Sequence, residues 1–152
     1  MIDFKSLSSN QRFFLNIIVP SAYFFPLVLA YLGPKNFGFG IRGLVYAGLS
    51  IGIVGILLWI AATWSLGSSL AVLPETDKLV TKGVYRIFRH PIYIGIVLTL
   101  TGLFLACGSL PCLIYVLVIL IPLNIFRARA EERAFLEKLG TPYKNYQNST
   151  FL

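Results

Sequence analysis

Charged side chains are absent from three long stretches of the chain, residues 13–33, 43–73 and 91–126. An α-helix needs about 20 residues, at roughly 1.5 Å each, to cross some 30 Å of hydrocarbon. The first stretch is long enough for one such helix, although Pro20 and Pro26 lie inside it. The most apolar part of the second, 44–66, fits another. The third runs for 36 uncharged residues, which as a single helix would be about 54 Å long, too long for a bilayer. Cys107-Gly108-Ser109-Leu110-Pro111-Cys112 interrupts it, and Gly and Pro there break it into a hairpin. The pattern predicts four spans, at about 13–33, 44–66, 91–107 and 111–126. They form one all-α, polytopic domain over 1–152, with the last two spans as a helical hairpin and a cytoplasmic C-terminal helix after them.

Composition removes the alternatives. Of the 152 residues 57% are hydrophobic and 12% charged, with a mean hydropathy of +0.77. A soluble domain carries about 25% charged residues, and half that supply cannot coat a water-facing globule. The apolar content excludes disorder, and two cysteines exclude a disulfide scaffold. Residues 13–33 are too long an apolar run for a signal peptide and lack a clear small-residue cleavage site. Basic residues set the orientation. Lys5 and Arg12, then Lys78, Lys82, Arg86 and Arg89, then Arg127, Arg129, Arg133, Lys138 and Lys144 fall on one side, and only Lys35 and Arg42 on the other. The positive-inside rule therefore puts both termini in the cytoplasm. A multi-pass protein of a bacterial inner membrane fits this reading. The net charge of +7 calls for anionic lipid headgroups, with no nucleic acid required. No His, Asp or Glu lies near Cys107 or Cys112, so no metal site is expected, while a disulfide between them stays open.

Polar chemistry is confined to 67–90 and to 127–152. In the first, Leu73-Pro74-Glu75-Thr76-Asp77 reads as a loop and Gly83 as a turn. Tyr85, Arg86, Phe88 and Arg89 suit a short interfacial helix, with rings at headgroup depth. Pro91 fits the first turn of the third span, which leaves His90 at a helix mouth beside free backbone donors. In the second, Arg127 and Glu131 share one helix face at the membrane boundary, where charge is costly and tends to be functional. Gly140 and Pro142 end that helix. Tyr143 and Tyr146 read as surface or interface packing. Each segment by itself also fits an interfacial anchor or a solvated helix end.

Together the segments resemble a known family. Gly-Val-Tyr-x-x-Phe-Arg-His-Pro-x-Tyr-x-Gly at 83–95, Arg-x-x-x-Glu-Glu at 127–132 and Leu-Gly-x-x-Tyr at 139–143 are similar to the isoprenylcysteine carboxyl methyltransferases, whose wider group includes phospholipid N-methyltransferases. The resemblance covers about Lys78 to Tyr146. It implies S-adenosylmethionine at the cytoplasmic helix ends, held by segments 77–93 and 127–146. Lys78, Leu79, Val80, Tyr85, His90, Pro91, Ile92 and Tyr93 would surround the cofactor. Glu131 and Glu132 would join them, with Glu131 on its amino-acid end, and Arg127 would face the acceptor as the catalytic residue.

The expected chemistry is transfer of a methyl group to a membrane-resident, lipid-like or prenylated acceptor. Alignment of acceptor, carbon and sulfur and exclusion of water are its main demands. Arg127 could orient a carboxylate, phosphate or phenolate. The residues leave O-, N- and S-methylation open. A reading from another class is a small non-enzymatic membrane protein that binds anionic lipid or a partner subunit.

Overall fold

The computed structural model describes residues 19–37, 41–67 and 79–151. Lys78 and residues 13–18 of the first expected span lie outside them. Among the described residues the architecture is all-helical: α1 Val19–Leu32, α2 Arg42–Leu66, α3 Pro91–Ala106, α4 Leu110–Leu139 and α5 Thr141–Ser149. A single 3₁₀ turn, Gly83–Arg86, precedes α3.

Local chemistry sets the breaks. Pro91 stands in the first turn of α3, after His90 in a non-helical conformation. Gly108 (φ +65°) turns the chain between α3 and α4, and Gly140 (φ +60°) separates α4 from α5. The hairpin tip accepts a hydrogen bond from the α1–α2 link, Phe37 N–H to Gly108 O at 2.9 Å. That link and the tip therefore share one end of the molecule.

Prolines inside the helices are compensated. Pro26 has no N–H, so the Ala22 carbonyl in α1 loses its helical donor. The Tyr115 hydroxyl of α4 donates to it at 3.1 Å, which matters in apolar surroundings where an orphan carbonyl is costly. The Cys112 thiol likewise donates to Pro26 O at 3.4 Å. Both cysteines are free thiols, Cys112 buried and Cys107 exposed. Just before Pro122, α4 widens into a π-turn at Val116–Leu120, a common way for a helix to absorb a proline. The helix then continues to Leu139, about 45 Å in all.

Two kinds of packing hold the bundle. Leu100 and Phe104 of α3 meet Cys112, Val116 and Leu120 of α4, with Ala22, Tyr23, Leu29 and Ala30 of α1 against them. On the other face of α3, glycines replace side chains. Gly48, Gly52 and Gly55 of α2 are buried against Gly95 and Gly102 of α3. A Cβ on Gly48 would sit 2.7 Å from Gly102 O, and one on Gly55 2.8 Å from Gly95 O. Small residues let helix backbones approach this closely, as in membrane helix pairs.

The outward surface is apolar. Tyr46, Ile53, Val54, Leu57 and Trp64 of α2 are exposed, as are Leu117, Val118 and Phe126 of α4. A soluble monomer rarely exposes so continuous an apolar surface. The sequence predicts four spans. By length and composition α2 and α4 can cross a membrane, whereas α1 and α3 are apolar but shorter, at 14 and 16 residues.

Two local expectations need correction. The interfacial helix over Tyr85–Arg89 is limited to the 3₁₀ turn. From there Phe88 runs in extended form beside Phe151, with Arg89 N–H donating to Phe151 O and Phe151 N–H to Ile87 O, both at 2.8 Å. Those bonds take the backbone groups that a helix would need. Tyr143 and Tyr146 are buried, at 2% and 8% exposure, because α5 folds back and Tyr143 stacks on Phe135 at 5.4 Å.

Candidate functional site

The start of α3 and the distal part of α4 come together, and five of the residues expected at a site join in one network. Tyr93, in the first turn of α3, is its hub. Its hydroxyl donates to Glu131 Oε1. Its ring stacks with His90 at 5.6 Å and an interplanar angle of 11°. The Arg127 guanidinium lies over the same ring, 5.4 Å from the centroid, within reach of a cation–π attraction. Helical spacing places Arg127 and Glu131 on one face of α4, so a single tyrosine spans both.

The two neighbouring glutamates differ in their surroundings. Glu132 is fully engaged: Arg89 Nη1 donates to its Oε1 at 2.8 Å, His90 Nε2 lies 3.3 Å from the same oxygen, and Gln147 Nε2 donates to Oε2 at 3.4 Å. Glu131 has Tyr93, with His90 Nδ1 at 3.8 Å from its other oxygen. It is also the more open of the two, with its side chain 32% exposed against 21%. His90 is thus bracketed by two carboxylates and is nearly buried. Arg89 Nε is buried without a hydrogen-bond partner; such an orphan donor is costly unless something accepts from it.

The remaining expected residues occupy the flanks. Pro91 is buried and Ile92 half-buried at the base of the network. Leu79 lines a groove of about 310 Å³ with Thr81, Arg86 and, from α5, Pro142 and Tyr146. Val80 is half-buried beside it in sequence. The Tyr85 carbonyl accepts from the Tyr146 hydroxyl at 2.7 Å. Burial raises the pKa of the Tyr85 phenol, with Tyr146 and Glu131 adding to the shift, and burial also raises that of Tyr143, with Glu132 adding. Both remain neutral hydroxyls at physiological pH. Lys78 is outside the described residues.

Several participants are not among the site residues that the sequence predicts. Arg89, read as an interfacial anchor, is a partner of Glu132. Gln147 and Tyr146 brace the site from α5. Deeper in the bundle the Tyr23 hydroxyl of α1 donates to Asn124 Oδ1 at 2.8 Å, and Asn124 Nδ2 donates to Leu120 O at 2.8 Å. Asn124 carried a usable signal, since an amide inside an apolar run is expensive and tends to be functional. Tyr23 carried none, because its partner lies 101 residues away.

Chemically, the arrangement offers a part-open carboxylate, an aromatic platform, a guanidinium at the apolar boundary and an unmatched buried N–H. Groups of these kinds can pair with an ammonium and with an anionic oxygen. No curated protein sequence matches the chain. A model of the phospholipid methyltransferase family matches residues 44–141.

Proposed function

From the chain's membership of the phospholipid methyltransferase family, which makes it a membrane methyltransferase, we propose that it moves the methyl group of S-adenosylmethionine to a lipid-like acceptor at the cytoplasmic membrane face. The observation that carries this reading is the Tyr93 network, which ties the Arg127 and Glu131 of one motif to the His90 of the other. In this reading α1 and α3 complete a set of four spans, and both termini face the cytoplasm. The concentration of basic residues beside the network supports that orientation.

The residues present fit the cofactor. Its ammonium group suits the Glu131 carboxylate, and its carboxylate suits the orphan Arg89 Nε. Leu79, Val80, Tyr85, His90, Pro91, Ile92 and Tyr93 form the surrounding wall, to which Lys78 belongs by its place in the motif. Glu132 belongs to the same site and holds Arg89 and His90 in place. When bound, the cofactor supplies an electrophilic methyl carbon on a sulfonium. Its transfer to an acceptor lone pair would leave the electron pair of the C–S bond on sulfur. Arg127 orients the acceptor at the apolar boundary.

The test is direct. Membranes containing the protein are incubated with methyl-labelled S-adenosylmethionine and a total lipid extract, and the lipid fraction is analysed for label. Label in a lipid product that disappears in the Arg127→Ala variant is expected. Unlabelled lipid with correctly folded protein would count against methyl transfer to such an acceptor.

A further inference from the structure

We infer that Tyr23 of α1 is a positioning residue for Arg127, supplied by a part of the chain outside the matched family region. This inference rests on the methyltransferase reading and adds to it a residue from before position 44.

The geometry runs through three side chains. Asn124 is 5% exposed, and its Nδ2 is committed to Leu120 O, so its Oδ1 points in a fixed direction. The Tyr23 hydroxyl gives its proton to that Oδ1. Its oxygen lone pairs are then left for a donor, and Arg127, three residues beyond Asn124 and so on the same face of α4, carries its guanidinium on that side. On its other side the guanidinium is held over the Tyr93 ring. Arg127 therefore stands between two tyrosines from different helices, and a guanidinium with five N–H groups keeps donors for an acceptor.

A simple helix pin does not account for this. The Tyr115 hydroxyl and the Cys112 thiol already fasten α1 to α4 through Ala22 and Pro26 carbonyls. Apolar contacts from Ala22, Leu29 and Ala30 fasten it further. A second polar pair on the side of Arg127 is an expensive addition at membrane depth unless it sets that arginine.

A double-mutant cycle separates the two roles, because a positioning residue acts through its target and a pin does not. Tyr23→Phe, Arg127→Lys, their combination and the pin control Tyr115→Phe are compared in the lipid-extract assay. S-adenosylhomocysteine binding and melting temperature are measured on each. Tyr23→Phe is expected to bind S-adenosylhomocysteine within about twofold of wild type, melt like Tyr115→Phe and lose about tenfold in turnover. In the Arg127→Lys background it should cost nothing more. Asn124→Ala, which releases the Tyr23 hydroxyl from its anchor, tests the same coupling if Tyr23→Phe is not recovered monodisperse. Wild-type turnover in Tyr23→Phe, or losses that multiply with Arg127→Lys, would overturn the role of Tyr23 while leaving the methyltransferase reading intact. A wild-type protein that labels no lipid would overturn that reading and this inference with it.

Discussion

Gly102→Leu is expected to dismantle the α2–α3 pair and to prevent recovery of monodisperse protein. A Cβ at position 102 would lie 2.5 Å from Gly48 O, and backbone cannot swing aside as a side chain can. Overpacking a well-filled site typically costs about 1–3 kcal/mol. Here the remaining leucine atoms also have to enter a space in which two backbones touch, so the cost lies at the top of that range or above it. For a chain of this size, about 3 kcal/mol corresponds to a fall in melting temperature on the order of 10 °C. Gly43→Ala is the matched control, because a Cβ there meets nothing within 4 Å, and alanine is the better helix former by about 0.5–1 kcal/mol. It should melt at or slightly above wild type. Equal melting of Gly102→Leu and wild type would mean that the two helices do not meet at their glycines.

Glu131→Gln is expected to weaken cofactor binding by about 10- to 100-fold with the fold unchanged. The substitution keeps shape and removes charge, so a charge-assisted hydrogen bond worth roughly 1.5–3 kcal/mol is lost. Glu131 meets α3 through the Tyr93 hydroxyl, a hydrogen bond that a glutamine oxygen can still accept, so melting should move little. Glu132→Gln should behave differently. Its carboxylate is shared by Arg89, His90 and Gln147, and neutralising it should lower melting temperature together with affinity. Calorimetric titration with S-adenosylhomocysteine, run beside a melting curve, reads both quantities. Wild-type affinity in Glu131→Gln would remove this residue from the cofactor site.

Much of the fold is legible in the sequence, because its punctuation is local. Pro91, Gly108 and Gly140 act through their own backbone geometry, and each marks a boundary where the sequence places one. Arg127 and Glu131 share a face through helical spacing alone. What a single sequence hides are pairings between distant segments. The glycines of α2 look like ordinary apolar spacing until Gly95 and Gly102 are brought opposite them. Helix propensity for 85–89 loses to backbone bonds with Phe151, more than 60 residues further on. Tyr143 and Tyr146 resemble surface aromatics because nothing near them in sequence announces that α5 folds back over Phe135 and Tyr85. The motifs expose Glu131 and Glu132 as a pair, but only the packing separates an engaged carboxylate from an open one.

The central claim is that the Tyr93 network belongs to an S-adenosylmethionine site. Titration of the detergent-purified, monodisperse protein with S-adenosylhomocysteine measures this most directly, since it needs no knowledge of the acceptor. Saturable binding near one ligand per chain, weakened in Glu131→Gln and retained in Arg127→Lys, is the predicted result. A folded wild-type protein that takes up no S-adenosylhomocysteine, or one that binds it equally well without the Glu131 carboxylate, would contradict it.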